Sequence, residues 1–380
     1  MADYDVIVAG IGAMGSAAAY HLTQRGQRVL GLERYDIPNE QGSSHGVTRI
    51  IRLAYCEDPS YVPLLQRAYA LWRSLQAETG EQLLHITGSI DAGAEDSFVF
   101  AGSLRSCREH GLEHEVLDAV QLRRRFPAYR LPANMLGVLQ SDGGFLLPER
   151  CIVAHVNGAL QQGGTFHARE RVVRWAAGGG EVVVETDRAR YRARRLVIAV
   201  GAWAADVFPP LRGIAVPERQ VLAWLQPTAP ALFQPDAFPV FNIDVADGRY
   251  YGFPVYGIPG FKIGRYHHRE ERIDPNSPRH EADEMDEGIL RRFAERYFPE
   301  GAGPTMTLKV CMFTNSPDEH FVLDVAPDTP EVVIASPCSG HGFKFASVVG
   351  EIVADLSLAG STKHNIGLFR LSRFAEAGKS

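Results

Sequence analysis

Cysteine is scarce in this chain, and no motif brings its cysteines together. Five occur among 380 residues, no two of them form a C-x-x-C pair, and they stand at Cys56, Cys107, Cys151, Cys311 and Cys338. An odd number of widely spaced cysteines argues against a disulfide framework and against a zinc site. We therefore predict neither cross-links nor a bound metal.

Long apolar runs and an excess of basic charge are also lacking. No run is long enough to span a bilayer, and the first residues lead directly into a strand instead of a signal peptide. The formal net charge of −6 argues against a general nucleic-acid binder. With 45% hydrophobic and 22% charged residues, the chain is predicted to be a cytoplasmic enzyme that binds neither membranes nor nucleic acids.

The start of the chain carries a G-x-G-x-x-G motif, formed by Gly10, Gly12 and Gly15. The pattern predicts a strand before it over residues 5–9, a helix after it, and a second strand that ends in Glu33. Glycines let the backbone approach a pyrophosphate, the helix N-terminus offers N–H groups, and the acid accepts hydrogen bonds from a ribose. We predict a dinucleotide site; the alternative is an ordinary glycine turn, and the motif alone does not separate FAD from NAD.

The remaining pattern predicts two interleaved regions. Residues 196–203 form a near-continuous apolar run that is typical of a buried parallel strand. Residues 249–255 and 260–266 predict an antiparallel hairpin within a second region. Lys262 lies in this hairpin, and a lysine in such a strand usually faces solvent.

Three cations stand in unusual contexts. Arg49 and Arg52 flank two isoleucines, so a partly buried arginine there needs a partner, either a structural salt bridge or a bound anion. Lys344 follows the Ser339-Gly-His-Gly turn at the predicted start of a helix, where a cation is locally unfavourable. That conflict suggests an anionic ligand, although a lysine that extends toward solvent is the alternative.

Several stretches, taken in this order, resemble the monomeric sarcosine oxidase and N-methyltryptophan oxidase family of FAD amine oxidases. They are the glycine motif, Ser43–Arg52, Tyr250–Pro254, Lys309–His320 and Ser339–Lys344. The resemblance implies an α/β (α+β) fold, in which a Rossmann-like FAD-binding domain is interleaved with an antiparallel-sheet substrate domain, as in D-amino-acid oxidase. The expected FAD domain comprises residues 1–84, 142–217 and 318–380, and the substrate domain comprises 85–141 and 218–317.

The resemblance also implies how FAD is held. Cys311 would attach the flavin covalently through its 8α-methyl group. The cofactor would further contact Gly10, Gly12, Ala13, Met14, Gly15, Glu33, Arg34, Ser43, His45, Arg49, Val172, Gly201, Trp203, Phe313, Gly340, His341, Gly342, Phe343 and Lys344.

For the substrate, the resemblance implies that Arg52 and Lys344 pair with a carboxylate. Tyr251 and Asn242 would line the cavity, and His267 or His268 would stand near the amine. Arg49 and His45 would lie against the flavin ring, and Lys262 would promote reaction with oxygen.

The implied reaction oxidises the C–N bond of an N-methyl amino acid. The imine is hydrolysed to an amino acid and formaldehyde, oxygen is reduced to hydrogen peroxide, and the enzyme is expected to be a monomer. Four departures from the family pattern leave the substrate open: Ser44, Val47, Asn242 and Phe313 replace histidine, aspartate, methionine and tyrosine. The alternatives are a dehydrogenase, an oxidase of cyclic amino acids such as pipecolate, or an inactive flavin-binding protein.

Overall fold

Two large β-sheets and a small one organise the chain. The computed structural model describes residues 2–277, 281–336 and 338–374. Within those residues each large sheet contains eight strands, the small sheet contains three, and helices cover the first large sheet. This mixed α/β architecture confirms the predicted fold class.

The strands of the described residues, in chain order, are β1 (Tyr4–Ala9), β2 (Val29–Leu32), β3 (Arg49–Ile51), β4 (Leu84–Ile86), β5 (Ser89–Ala94), β6 (Glu115–Asp118), β7 (Met135–Gln140), β8 (Gly144–Leu146), β9 (Thr165–His167), β10 (Val172–Gly178), β11 (Glu181–Thr186), β12 (Arg190–Ile198), β13 (Val216–Leu225), β14 (Val240–Val245), β15 (Gly248–Phe253), β16 (Phe261–Arg265), β17 (Thr305–Asn315), β18 (Val322–Val325) and β19 (Val332–Ser336). The α-helices are α1 (Ala13–Gln24), α2 (Val62–Thr79), α3 (Phe98–Glu109), α4 (Ala119–Arg125), α5 (Pro148–Gln161), α6 (Ala204–Val207), α7 (Glu284–Tyr297) and α8 (Ala346–Ala359).

The first sheet has a parallel centre, in the order β9-β2-β1-β12, and β19 pairs in parallel with the second half of β12. The antiparallel strands β11 and β10 follow the first half of β12. Helix α1 packs between α5 and α8, and residues 6–9 and 29–32 are buried. Strands buried on both faces need continuous apolar runs, which explains why these two were predictable.

The second sheet has the order β17-β13-β16-β15-β14-β5-β7-β6 and is antiparallel except for the β14–β5 pair. The predicted hairpin is present as β15 and β16. Its aromatic core includes Phe233, Phe241 and Phe298. The small sheet, β3-β8-β4, carries Arg49 at the start of β3.

Two strand predictions differ from the structure. The sequence pattern over residues 85–90 predicts one strand, but Gly88 has a φ of +77° and separates β4 from β5. The run over 196–203 ends as a strand at Ile198, because Gly201 has a φ of +55° and begins a 3-10 turn. Left-handed φ angles interrupt a strand, and glycine adopts them at low cost.

The domain boundaries stay a prediction, as does the cytoplasmic location. The strands of the first sheet come from residues 4–32, 165–198 and 322–336, and the second sheet draws on segments between them. Among the described residues, no helix has the length and apolar character needed to cross a membrane.

Candidate functional site

A cavity of about 490 Å³ lies between the two large sheets. Most of the predicted site residues line it: Gly10, Gly12, Ala13, Met14, Glu33, Arg34, Ser43, Arg49, Arg52, Val172, Gly201, Trp203, Asn242, Tyr251, Cys311, Phe313, Gly340, His341, Gly342, Phe343 and Lys344. Segments more than 300 residues apart in the chain therefore meet at one site. Four predicted residues are not part of the lining: Gly15, His45, Lys262 and His267.

The first end of the cavity is built by the β1–α1 turn. Gly10 has a φ of +85°, and a Cβ atom there would approach the carbonyl of Ala199 to 2.6 Å. A Cβ at Gly15 would collide with the Gly10 carbonyl at 1.7 Å, so Gly15 supports the turn from behind. Gly12 faces the cavity, because the nearest atom to a Cβ there is Ser44 Oγ at 3.9 Å. The turn thus leaves room for a group that contacts its backbone.

Glu33 closes this end at the tip of β2. Its carboxylate accepts the backbone N–H groups of Ile11 at 2.8 Å and Tyr35 at 3.0 Å. Burial raises the pKa of Glu33, while these two donors favour the ionised form. Each carboxylate oxygen keeps a second lone pair, which a ribose hydroxyl can use.

Arg34 and Trp203 form the outer rim of the same end. The Arg34 guanidinium lies 5.2 Å from the centre of the Trp203 ring. Asn276 joins them, since its Oδ1 accepts from Arg34 at 2.8 Å and from Trp203 Nε1 at 3.1 Å. Asn276 also lines the cavity and was not predicted, because nothing in its polar loop distinguishes it from its neighbours.

Cys311 stands in the middle of the cavity wall, on β17. Its side chain is buried, and its Sγ lies 3.8 Å from an Arg49 guanidinium nitrogen and 3.9 Å from the Ser43 carbonyl oxygen. Arg49 in turn donates to the Ser43 carbonyl at 2.8 Å. The structure therefore brings together three of the residues that the resemblance associates with the flavin.

The turn over residues 339–342 differs from its prediction. The sequence predicts that a helix opens here, but a 3-10 turn spans Phe343–Phe345 and α8 begins at Ala346. The charge of a helix end falls off within one turn, so the α8 dipole is weaker at Gly340 than expected. Gly340 has a φ of +75° and packs on Phe313, where a Cβ would approach the ring to 2.5 Å.

Lys344 and His341 are tied to this turn. Lys344 Nζ donates to the His341 carbonyl at 2.8 Å, and burial, together with Arg52, lowers the pKa of Lys344 to about 7. The His341 ring contacts the Tyr55 hydroxyl and the Glu319 carbonyl, and burial lowers its pKa to about 4. His341 is therefore neutral near pH 7, whereas the pKa of Lys344 lies close to that pH.

Arg52 is fully buried. The sequence left open whether an arginine here pairs with a protein carboxylate or with a bound anion. Arg52 forms a structural ion pair, because its Nε lies 3.0 Å from Asp91 and its terminal nitrogen 3.5 Å from Glu57. Burial acts to lower the pKa of Arg52, but the two carboxylates raise it above its usual value. Arg52 nonetheless lines the cavity, so an anion remains within its reach.

A second arginine, Arg249, shares Glu57. It donates to Glu57 at 2.6 Å and to Asn242 Oδ1 at 2.8 Å, and it lies 4.0 Å from the centre of the Tyr266 ring. Burial opposes ionisation of Glu57, but Arg249 and Arg52 hold its pKa well below the usual range. We call Arg52, Glu57, Asp91, Asn242 and Arg249 the buried charge network. Glu57, Asp91 and Arg249 were missed because nothing in their local sequence marks them.

Lys262 does not face solvent as its strand pattern predicted. It is buried, and its Nζ donates to Gly46 O at 2.7 Å, Thr48 O at 2.8 Å and Thr48 Oγ1 at 3.0 Å. Burial and the nearby Arg49 lower its pKa well below the ordinary lysine value. The outward prediction was wrong because both faces of β16 are covered.

The histidine predictions also require correction. His267 pairs with Glu218 and Glu319, which raise its pKa to about 10. His268 pairs with the buried Asp286, away from the cavity. Tyr266 lies in the cavity wall, and neither histidine does. His45, predicted against the flavin, is buried in the loop before β3.

The comparisons with known proteins agree with this geometry. A family model described as "FAD dependent oxidoreductase" matches residues 5–356. Monomeric sarcosine oxidase of Streptomyces avermitilis is 42% identical, with 98% of each chain covered. The chain belongs to this family of FAD-dependent oxidoreductases.

Two further family members extend the likeness. N-methyl-L-tryptophan oxidase of Salmonella arizonae is 36% identical, with 98% of this chain and all of the relative covered. The solved structure of NikD, an unusual amino acid oxidase essential for nikkomycin biosynthesis, aligns with a TM-score of 0.83. It is 28% identical, and 97% of each chain is covered.

The residues present fit FAD. Gly12 leaves an open backbone surface, Glu33 offers ribose acceptors, and Cys311 lies farther along the same cavity with Arg49 beside it. A continuous cavity from the β1–α1 turn to Lys344 is what a cofactor with two joined halves requires. The glycine motif alone did not separate FAD from NAD. The match to the family of FAD-dependent oxidoreductases identifies the cofactor as FAD.

Proposed function

We propose that this protein is an oxidase of N-methyl amino acids, which converts the substrate to an imine that water hydrolyses to an amino acid and formaldehyde. Oxygen is the electron acceptor and hydrogen peroxide the second product. Relatives named sarcosine oxidase and N-methyl-L-tryptophan oxidase support this proposal at near-complete coverage. The observation that carries it is one cavity with a dinucleotide turn at one end and buried cations at the other.

When bound, FAD supplies the site that accepts hydride from the substrate carbon and passes electrons to oxygen. The chain's own residues bind and orient the substrate. Protonated Lys344 has one protein acceptor among the described residues, so it retains donors for a substrate carboxylate. Arg52 adds positive charge from a position fixed by Asp91 and Glu57.

The amine end of the substrate needs no strong protein base if it binds uncharged. Nearby cations and desolvation both favour loss of its proton. Tyr251 lines this part of the cavity, and its buried ring keeps water out. Lys262 supports the reaction with oxygen in our proposal, as a cation that stabilises developing negative charge beside Arg49.

We further propose that the flavin is covalently attached through Cys311. The buried thiol lines the cavity, and an Arg49 guanidinium nitrogen lies 3.8 Å from its Sγ. We also propose a monomer, like the relatives whose name says so.

The function is tested by mixing the purified holoenzyme anaerobically with sarcosine, N-methyl-L-tryptophan and L-pipecolate. We expect loss of flavin absorbance with at least one N-methyl substrate. Readmitting oxygen should then release peroxide and formaldehyde in equal amounts. Bleaching by pipecolate alone, without formaldehyde, would replace the proposal by a cyclic-amino-acid oxidase, and no bleaching by a wide panel of secondary amines would refute it.

A further inference from the structure

The cavity has a polar wall that the binding of a substrate carboxylate and amine does not use. Asn242 and Tyr266 both line it, from β14 and from the residue after β16. Asn242 is only 2% exposed, so its amide faces protein or ligand, not bulk water. A buried amide without good partners is costly, and the wall therefore favours a ligand that can form hydrogen bonds.

Arg249 fixes the orientation of the Asn242 amide. The Arg249 Nε–H can only donate, and it lies 2.8 Å from Asn242 Oδ1. A second nitrogen of the same guanidinium donates to Glu57 at 2.6 Å, so the Arg249 side chain has little freedom to move. Rotating the Asn242 amide by 180° would bring its NH₂ group against the Arg249 Nε–H, so that two donors would face each other. The Asn242 NH₂ group is thus held as a donor; it lies 3.7 Å from Cys56 Sγ, and it also faces Asp91, its neighbour on β5, whose pKa it acts to lower.

Tyr266 offers a second donor at the same wall. Its ring lies under the Arg249 guanidinium, with 4.0 Å between the cation and the ring centre. Burial raises the pKa of Tyr266 to about 12, so the phenol keeps its proton at neutral pH. Among the described residues, no protein group accepts from its hydroxyl.

The charge of the surroundings decides which ligand group fits. Arg52, Arg249 and Lys344 are cationic when protonated, and Glu57 and Asp91 are the carboxylates that face them. The surplus positive charge is matched by the substrate's own carboxylate at Lys344, so the remaining network is balanced and favours a neutral oxygen acceptor over a further charged group.

We propose that Asn242 and Tyr266 form a subsite for an oxygen acceptor on the substrate's α-substituent, with Arg249 as the positioning residue. The preferred substrates are N-methyl amino acids whose side chain ends in a carboxamide. This inference rests on the proposed function and names the substrate class of the same site.

A pair of substrates of nearly equal shape tests the subsite. N-methyl-L-asparagine and N-methyl-L-leucine differ mainly in the polarity of the side-chain end, and sarcosine serves as the reference without a side chain. We expect kcat/KM to favour the asparagine derivative over the leucine derivative by at least about tenfold. Equal values, or a preference for leucine, would overturn the inference.

Two variants assign the preference to named atoms. Asn242→Asp keeps an oxygen for Arg249 but removes the donor, so we expect the asparagine-to-leucine ratio to fall about tenfold. Arg249→Met frees the amide and should lower the same ratio, chiefly through KM, with partial recovery in Arg249→Lys. A merely structural role for Arg249 would lower activity on both substrates alike and leave the ratio unchanged, and that result would contradict the positioning role.

Arg219→Met is the matched control. Arg219 is also buried and pairs with Asp286, outside the cavity lining, so its loss removes a similar ion pair without reaching the subsite. We expect an unchanged substrate ratio in this variant; a shift as large as that of Arg249→Met would remove the case for a local effect. Failure of sarcosine and both derivatives to bleach the flavin would count against the proposed function, whereas bleaching without the preference would count against this subsite alone.

Discussion

The two ends of the cavity are built by different means. The inner part of the nucleotide end consists of backbone and one carboxylate from residues 10–33, and its geometry follows from glycines that no side chain could replace. The substrate end consists mainly of charged and polar side chains from the segment after β3, from β5, β14 and β15, and from the turn before α8. A site of backbone groups can be recognised from a short motif, whereas a site of side chains depends on how distant strands pair.

The largest effect is expected where the two ends meet. In Cys311→Ala, we expect acid-precipitated protein to be colourless with free flavin in the supernatant, whereas the parent protein stays yellow. The reason is that the proposed thioether requires the Cys311 thiol; Cys338 also lines the cavity, but it lies at the turn beside Gly342. Cys107→Ala, a buried cysteine outside the lining, is the control and should stay yellow. Colour retained by Cys311→Ala would rule out this attachment point.

At the substrate end, Lys262→Met should separate the two half-reactions. We expect reoxidation by oxygen to slow by about 10²–10³-fold, the usual loss when one electrostatic stabiliser is removed. Anaerobic reduction by substrate should change far less, since Lys262 is not part of the cavity lining. Stopped-flow absorbance measures both rates, and equal slowing of the two would favour a dehydrogenase over an oxidase.

At the nucleotide end, Glu33→Gln replaces the buried carboxylate by an amide. The amide can accept only one of the two N–H groups that Glu33 now accepts, which costs about 1–3 kcal/mol for the buried donor left over. We expect FAD affinity to fall by roughly tenfold to a hundredfold, measured by fluorescence titration in the Cys311→Ala background. Glu81→Gln, at an exposed pair with Arg150, should leave the affinity unchanged. No loss in Glu33→Gln would mean that backbone alone builds this end.

The smallest effect is a pH dependence confined to the substrate end. Lys344 has a pKa of about 7 in the free protein, and a bound carboxylate stabilises its charged form. Affinity for an unreactive carboxylate such as methylthioacetate is therefore full below pH 7 and falls above it. The dissociation constant should rise by up to about tenfold per pH unit until the pKa of the complex is reached. Lys344→Met should bind weakly with a flat profile, and a parent affinity that rises with pH would contradict this role.

The sequence allowed the fold to be predicted where a local pattern determines it. The β1-α1-β2 unit and the β15–β16 hairpin were both predicted from apolar runs and glycine positions. The turn at Gly88 was missed, because an apolar run does not reveal where a φ becomes positive.

The substrate end was only partly predictable, and for a physical reason. Strand alternation predicts that successive residues face opposite sides of a sheet, but it does not reveal that both sides of β16 are covered. The strand pattern alone therefore predicted that Lys262 faces solvent. Arg249 meets Glu57 across 192 positions of sequence, and no motif encodes such a pair. The resemblance left His267 and His268 as alternatives beside the substrate amine, whereas in the structure Tyr266 lines the cavity and neither histidine does.

The shared Glu57 carboxylate limits how this enzyme's selectivity can be engineered. Replacing Glu57 alone leaves the buried Arg249 without its carboxylate, and replacing Arg52 alone leaves the buried Asp91 without its cation, each at a cost of roughly 3–5 kcal/mol. Libraries that vary these positions singly will be dominated by unstable variants. Codon sets that change Glu57 together with Arg249, toward neutral side chains of similar volume, are the practical route to new substrates.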